Sequence, residues 1–260
     1  FNNVTDIAMR GGTDFCGNGN CGGFSHVWLT VVTSLNGGTV YTAGDGSSGQ
    51  LGNGQGGNQA NYTVSSFRQP TLTVPTGMAS TTVAKIMAAG EPSIYNGNTG
   101  EGCYYNNGTA YEEPCGGGIT GVIDTAGNLY VTGSGNSYAT GLNSNLDVNT
   151  FQLVNDTGFQ GKVVKYLVPS NMTYSTTGTR YHFAYILDSN GDVWSAGMEA
   201  NGQLGNNSDG NRTTFQKVYR NTDGAKVVDI RVAVRSDSGA TGSVILLLED
   251  GSLMTTGYNG

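Results

Sequence analysis

Charged side chains are scarce in this 260-residue chain, at 12%, and they are lopsided: 12 Lys and Arg against 19 Asp and Glu leave a formal net charge of -7. A surface that grips nucleic acid needs about one Lys or Arg for each phosphate it neutralises, and the few present form no basic cluster. No nucleic-acid partner is expected. Long apolar runs are missing too. The longest is VILLL at residues 244–248, far short of the roughly 18 residues that cross a bilayer as a helix. Membrane insertion is not expected. The strong helix formers Lys, Glu, Arg and Ala are few, whereas Gly numbers 43 and Asn, Ser and Thr abound. That balance disfavours helices and favours short strands joined by many turns. The chain opens FNNVTDIAM, with no initiator Met, basic segment or apolar segment, so a signal peptide has been removed or was never present.

Cysteine is rare but patterned. The 4 cysteines fall into two local pairs, Cys16 with Cys21 and Cys103 with Cys115, and each second member is followed by glycines. Two disulfides closing short polar loops are the preferred reading, implying an oxidising compartment or a virion surface. Zinc needs closer ligand pairs than the wide second spacing offers, so no metal and no cofactor is expected. Sequons at Asn3, Asn61, Asn107, Asn155, Asn171, Asn206 and Asn211 compare with about five expected by chance in this composition and are not evidence of glycosylation.

What the chain does have is a phrase written repeatedly. GTVYTAGDGSSGQLGNG (38–54) and GDVWSAGMEANGQLGNN (191–207) keep Gly, aromatic, Ala-Gly and Gly-Gln-Leu-Gly in register. GNLYVTGSGNSYATGLN (127–143) is a blurred copy, and GSLMTTGYNG (251–260) is a partial one. The leading glycines lie 89, 64 and 60 residues apart, a period near 60 stretched once. Two apolar runs precede each phrase. The first set is NVTDIAM, TVAKIMA, KVVKYLV and KVVDIRV; the second is HVWLTVV, GVID, HFAYILD and SVILLLED. A fourth run follows the first three copies, in SSFRQPTLTV, NTFQLV and TTFQKVY. Tight turns such as DTAGN and DSNGD join the second run to the phrase, with Gly where a hairpin needs positive φ. DSNGD (188–192) lacks the glycine and terminal Glu of a calcium loop, so it is read as that turn. Each unit is thus a four-stranded antiparallel meander, as in a β-propeller blade.

This pattern, with Gly-Gln-Leu-Gly at 49–52 and 202–205, resembles the repeat of the regulator of chromosome condensation family, whose members form seven-bladed propellers. The resemblance covers essentially the whole chain as four units and implies an all-β propeller. Approximate blades are 1–78, 79–160, 161–224 and a truncated 225–260. About fifteen strands are too few for a closed ring, so the natural chain is expected to continue past Gly260 and before Phe1. Within the phrase, Val40 and Val193 alternate with Tyr41 and Trp194 to serve both faces of a blade. Gly44 and Gly197 end a strand where the backbone turns closely. Gly49, Leu51, Gly52, Gly202, Leu204 and Gly205 tuck a leucine into a crevice. The phrase is therefore a packing device.

Function is sought where copies differ. The loop between the first two runs is RGGTDFCGNGNCGGFS in the first unit and GEPSIYNGNTGEGCYYNNGTAYEEPCGGG in the second. Tyr95, Tyr104, Tyr105, Asn106, Tyr111 and Glu112 on the second loop offer aromatic faces and hydrogen-bonding groups suited to adaptable recognition. Packing over the neighbouring blade is the plainer role for the same loop. His26 and His182 repeat at the start of a strand with no nucleophile at a recognised spacing, and no catalytic residue is assigned. A carbohydrate-active enzyme would need clustered carboxylates, for which Glu112 and Glu113 offer little. The main expectation is a non-enzymatic structural, adhesive or receptor-binding propeller on an extracellular, cell or virion surface, such as a phage tail fibre. Its partners would be other chains of that assembly, or a glycan or protein receptor. The alternative, implied by the resemblance, is a guanine nucleotide exchange factor or scaffold for a small GTPase.

Overall fold

A computed structural model describes residues 4–12, 26–33, 39–46, 49–56, 63–68, 83–89, 118–135, 138–155, 158–159, 162–169, 182–199, 201–220, 222, 224–234 and 242–258. Its strands form four antiparallel sheets in chain order. The first holds β1 (Val4–Gly12), β2 (His26–Thr33), β3 (Thr39–Asp45) and β4 (Thr63–Arg68). The second holds β5 (Val83–Ala89), β6 (Ile119–Asp124), β7 (Leu129–Gly133) and β8 (Val148–Leu153). The third holds β9 (Val163–Leu167), β10 (Phe183–Asp188), β11 (Val193–Gly197) and β12 (Arg212–Tyr219). Among the described residues the fourth has three strands, β13 (Val227–Val234), β14 (Gly242–Leu248) and β15 (Leu253–Gly257). Every sheet keeps sequence order, so each is the meander that the repeat predicts, and the fold is an all-β propeller of four-stranded blades.

The chain divides into two compact units. One comprises Phe1–Val122, Val131–Ser134 and Asp147–Gln152; the other comprises Ile123–Tyr130, Gly135–Leu146 and Leu153–Gly260.

The apolar runs become strands for a reason visible in their burial. β6, β7, β10 and β11 are buried at every position, so both faces of these strands are covered, and FAYILD can be apolar without alternation. β14 is different. Val244, Leu246 and Leu248 point into a core with Phe183, Tyr185, Leu204 and Ile230, while Ile245 and Leu247 on the other face stay partly open.

The turns that close the central hairpins are repeated in atomic detail. The amides of Gly127, Gly191 and Gly251 each donate to the carbonyl three residues earlier, on Asp124, Asp188 and Leu248, at 3.0 Å. All three glycines are left-handed, with φ of 88°, 84° and 85°. Such a turn followed by a left-handed residue matches the twist of the strands it joins. Two of the turns carry a buried carboxylate that holds them shut. Asp188 Oδ1 accepts the amides of Asn190 at 2.9 Å and Asp192 at 3.1 Å, and its Oδ2 accepts the indole N–H of Trp194 at 3.1 Å. Asp124 Oδ1 accepts the Asn128 amide at 2.9 Å, and its Oδ2 accepts the Asn128 side chain at 2.9 Å and the Tyr130 hydroxyl at 3.4 Å. Burial, reinforced by the Asp124 charge, pushes the Tyr130 hydroxyl up to about 12. In the fourth sheet the same two positions hold Leu248 and Met254, so the carboxylate and its ring donor disappear together. The DSNGD segment is thus a turn, with Asp188 engaged by the chain's own donors.

The Asp188–Trp194 pair gives a direct test. Asp188→Asn would aim an amide N–H at the indole N–H and is expected to cost about 2–3 kcal/mol. Trp194→Phe removes the conflicting donor, so the double variant should be more stable than the sum of the singles by about 1 kcal/mol in urea unfolding.

Candidate functional site

Gly-Gln-Leu-Gly closes its own turn first. In the first sheet the Gly49 amide donates to Gly46 O at 2.8 Å and the Gly52 amide to Gly49 O at 2.9 Å. In the third the Gly205 amide donates to Gly202 O at 3.1 Å, and the Glu199 carboxylate takes the amides of Gly202 and Leu204. Leu51 and Leu204 are fully buried, and their carbonyls accept the hydroxyls of Thr42 and Ser195 at 2.8 Å. The blurred second copy keeps the same backbone. Tyr138 and Gly141 have φ of 61° and 69°, close to 80° and 65° at Gly49 and Gly52. Gly44 and Gly197 are also left-handed, at 105° and 119°, and a Cβ on Gly197 would stand 2.3 Å from His182 O.

The turn then seats against the following sheet, through three contacts at Gly49–Gly52 and two of them at Tyr138–Gly141. A ring covers its last glycine: a Cβ on Gly52 would meet the Phe151 ring at 2.4 Å, and one on Gly141 would meet the Phe215 ring at 2.2 Å. Two residues beyond that glycine, an amide reaches the following sheet's fourth strand, from Gly54 to Asn149 O at 2.8 Å and from Asn143 to Thr213 O at 2.9 Å. A threonine hydroxyl of the following sheet caps the turn's first carbonyl, from Thr132 to Gly49 O and from Thr256 to Gly202 O, both 2.8 Å. The aromatic contacts continue inward, with Tyr166 edge-on to Phe215 at 6.2 Å between centroids. The Tyr166 hydroxyl, donating to Ala139 O at 3.1 Å, is so buried that its ionisation is driven far above the usual range.

The third turn is seated only in part. Thr256 caps Gly202, and among the described residues no phenylalanine ring lies on Gly205, where an added Cβ would meet Thr256 Cγ2 at 3.0 Å and the Tyr185 hydroxyl oxygen at 3.3 Å. Gly52 and Gly141 are buried, whereas Gly205 is half-exposed. A groove of about 490 Å³ opens there, lined by Gly205, Asn207, Tyr185, Leu246, Met254 and Thr256 among others.

An ion pair also joins the third and fourth sheets. The Lys165 ammonium contacts the Asp229 carboxylate and donates to Ile230 O at 2.9 Å, and Arg231 Nε approaches Asp229 at 2.9 Å. Burial pushes the Asp229 carboxyl up, but the hydrogen bond and charge of Lys165, helped by the Ile230 amide and Arg231, outweigh it and hold the group below its ordinary value.

The eight glycine and leucine residues singled out from the phrase come together in this way. Cys16, Cys21, Cys103, Cys115 and the loop residues Tyr95, Tyr104, Tyr105, Asn106, Tyr111 and Glu112 lie outside the described residues. His182 is buried at the start of β10. Reading the phrase alone missed Phe151, Phe215, Thr132, Thr256 and Glu199. A signal existed: Phe151 and Phe215 both stand 24 residues after the leading glycines Gly127 and Gly191.

No protein-family model and no curated protein sequence matches the chain. Solved structures do. The chain is similar to human WBSCR16, with 15% identity over 89% of this chain and 45% of that one, at a TM-score of 0.59. It is also similar to yeast RCC1 (Prp20) in the complex with Kap60, with 13% identity over 88% of this chain and 41% of that one, at a TM-score of 0.54. A third similar structure is Saccharomyces cerevisiae Prp20p, described with its binding to Gsp1p and histones, with 12% identity over 90% of this chain and 42% of that one, at a TM-score of 0.49. The fold is that of the RCC1-type propeller. The chain spans less than half the length of these proteins.

The likeness overturns the expectation of an extracellular, cell-surface or virion location, for it runs to a human protein and to yeast RCC1 held by Kap60. The tail-fibre, virion-assembly and glycan-receptor readings find no support in these likenesses. The physical reason is that low charge and abundant glycine report the blade, not the compartment. Closely packed sheets leave little room for charge, and the turns demand left-handed residues.

Two outcomes follow from this geometry. Gly52→Ala must displace Phe151 as well as hold a left-handed alanine, and is expected to lose about 2–4 kcal/mol, against about 1–2 kcal/mol for Gly205→Ala, when thermal unfolding is compared. For Asp229, the folded carboxyl is held low, so its contribution is present above the ordinary value of 3.8 and fades as pH falls through the lower folded value. Asp229→Asn should therefore flatten the loss of stability on acidification in that window, read by urea midpoints against pH.

Proposed function

We propose that this chain is a non-enzymatic propeller module that binds a protein partner, acting as an exchange factor or scaffold for a small GTPase. The observation that carries the non-enzymatic part is how its buried acids are engaged. Asp124 and Asp188 close hairpin turns, Glu199 clamps the Gly202 and Leu204 amides, and Asp192 is paired with Lys217, which also lies 4.7 Å from the Trp194 ring centroid. A carboxylate held by backbone amides or a lysine is ill-suited to carry protons in catalysis. The fold shared with yeast RCC1, seen in complex with Kap60, supports a protein as the partner. The GTPase reading is favoured by the resemblance of the Gly-Gln-Leu-Gly repeat to the regulator of chromosome condensation family.

Release of a fluorescent GDP analogue from a purified small GTPase tests it. Faster release with the chain than with buffer is expected for an exchange factor, and stable co-migration without faster release for a scaffold. Neither release nor binding, with the chain verified as folded, would remove the GTPase reading.

A further inference from the structure

Asparagine followed by glycine is a chemically labile pair, because the glycine nitrogen, with no Cβ beside it, can attack the asparagine side-chain carbonyl. Three such pairs lie among the described residues, Asn53-Gly54, Asn190-Gly191 and Asn201-Gly202. The fold holds them differently. The Gly54 amide donates to Asn149 O of the following sheet at 2.8 Å, while Asn53 accepts the Gln55 amide on Oδ1 at 3.1 Å and forms a bridge to Thr150. The two reacting groups are thus held by separate partners. The Gly202 amide donates to the Glu199 carboxylate, whose charge opposes loss of the proton that must leave before attack.

Asn190 is placed otherwise. It is exposed at the tip of the third hairpin, and the Gly191 amide donates to Asp188 O at 3.0 Å inside the same turn. Freeing that nitrogen breaks one bond within a turn, whereas freeing Gly54 breaks a bond between sheets. The Val227 amide stands 3.4 Å from Gly191 O, against 2.9 Å from Val163 to Gly127 O, so on that side the third hairpin is the more loosely stapled. The second hairpin has Ala126 at the place of Asn190, with no side-chain carbonyl to attack, and the fourth has Asp250.

We propose that Asn190-Gly191 is a self-modifying site, where asparagine converts to aspartate and isoaspartate without an enzyme, and that the isoaspartyl product opens the third hairpin. The Gly191 nitrogen gives its proton to solvent and bonds to Asn190 Cγ; the Cγ–Nδ2 bond breaks and the side-chain nitrogen leaves as ammonia. Water then opens the resulting succinimide. Opening at Cγ yields aspartate, and opening at the main-chain carbonyl yields isoaspartate, whose backbone runs through Cβ and Cγ. The two products differ in consequence. An aspartate already occupies this place in the fourth hairpin, where Ser252 steadies Asp250 through its amide at 2.9 Å and its hydroxyl at 2.6 Å. The third hairpin has Asp192 in place of Ser252, so an aspartate at position 190 adds a third acid beside Asp188 and Asp192. Isoaspartate lengthens the backbone between Asp188 and Gly191, so Asp188 Oδ1 loses its fit to the amides of residues 190 and 192. Asp188 also anchors the Trp194 indole, which carries the change into the buried strand β11. The inference rests on this hairpin and does not depend on the GTPase reading.

The chain is aged in mildly alkaline buffer and sampled by peptide mapping with mass spectrometry and by isoaspartyl methyltransferase labelling. Product is expected at Asn190 at least about tenfold faster than at Asn53 or Asn201 in the folded chain, and at similar rates at all three in urea, where local opening no longer separates them. Tryptophan emission should change as isoaspartate accumulates. Asn190→Ala, which takes the residue found at Ala126, should show neither the product nor the emission change. If that variant does not fold, the rates at the three asparagines of the unaltered chain decide the matter. Conversion at Asn53 or Asn201 as fast as at Asn190 in the folded chain would overturn the site. Isoaspartate at position 190 with unchanged tryptophan emission would overturn the opening of the hairpin.

Discussion

The structure depends on a close approach between a glycine and a phenylalanine ring. The last glycine of each completed turn, Gly52 or Gly141, lies so near Phe151 or Phe215 that a single added carbon would stand within 2.4 Å of ring atoms. The ring excludes water from the turn, and the turn then has to satisfy its own polar groups. It does so with amides donating inside the turn and, at Leu51 and Gly49, hydroxyls capping its carbonyls.

A second seam repeats at the hairpin turns. The Val163 amide donates to Gly127 O at 2.9 Å while Lys162 O accepts the Ser189 amide at 2.8 Å. One sheet later, Lys226 O accepts the Glu249 amide at 2.8 Å and the Val227 amide reaches Gly191 O at 3.4 Å. The Lys-Val pair that begins each of these first strands is therefore a staple between consecutive hairpins. Its lysine stem covers the left-handed glycine, with Lys162 Cβ and Lys226 Cγ each 2.2 Å from where a Cβ would be. Stability of such an array is largely a sum of terms between neighbours, so a degenerate copy can survive if its seams are kept. Tyr138-Ala139-Thr140-Gly141 is that case: the sequence has drifted, and the left-handed pair at Tyr138 and Gly141 has not.

Much of this was legible in the sequence because a repeat exposes what geometry will not release. The four runs per unit, the turn glycines and the buried leucines could all be read by aligning four copies of one chain. The seams were not legible, for a physical reason. Thr132 and Gly49 are far apart in the chain, and the reason a threonine stands at that place is a carbonyl in the preceding unit. The same holds for Asp188 and Trp194, whose bond crosses a hairpin and vanishes as a pair when Leu248 and Met254 replace them. Composition misled in one respect: scarce charge and abundant glycine suggested a surface or virion protein, when packing between sheets already accounts for both.

Local chemistry, then, settled what each segment becomes. Alternation or continuity of apolar residues made strands, and glycine at a left-handed position made turns, because those preferences act over a few residues. What covers each turn was decided only by tertiary structure. A glycine at 52, 141 or 205 has much the same backbone in all three places. Its meaning depends on whether a phenylalanine from another strand arrives to cover it, and ring burial is a property of the assembled sheets rather than of any one of them.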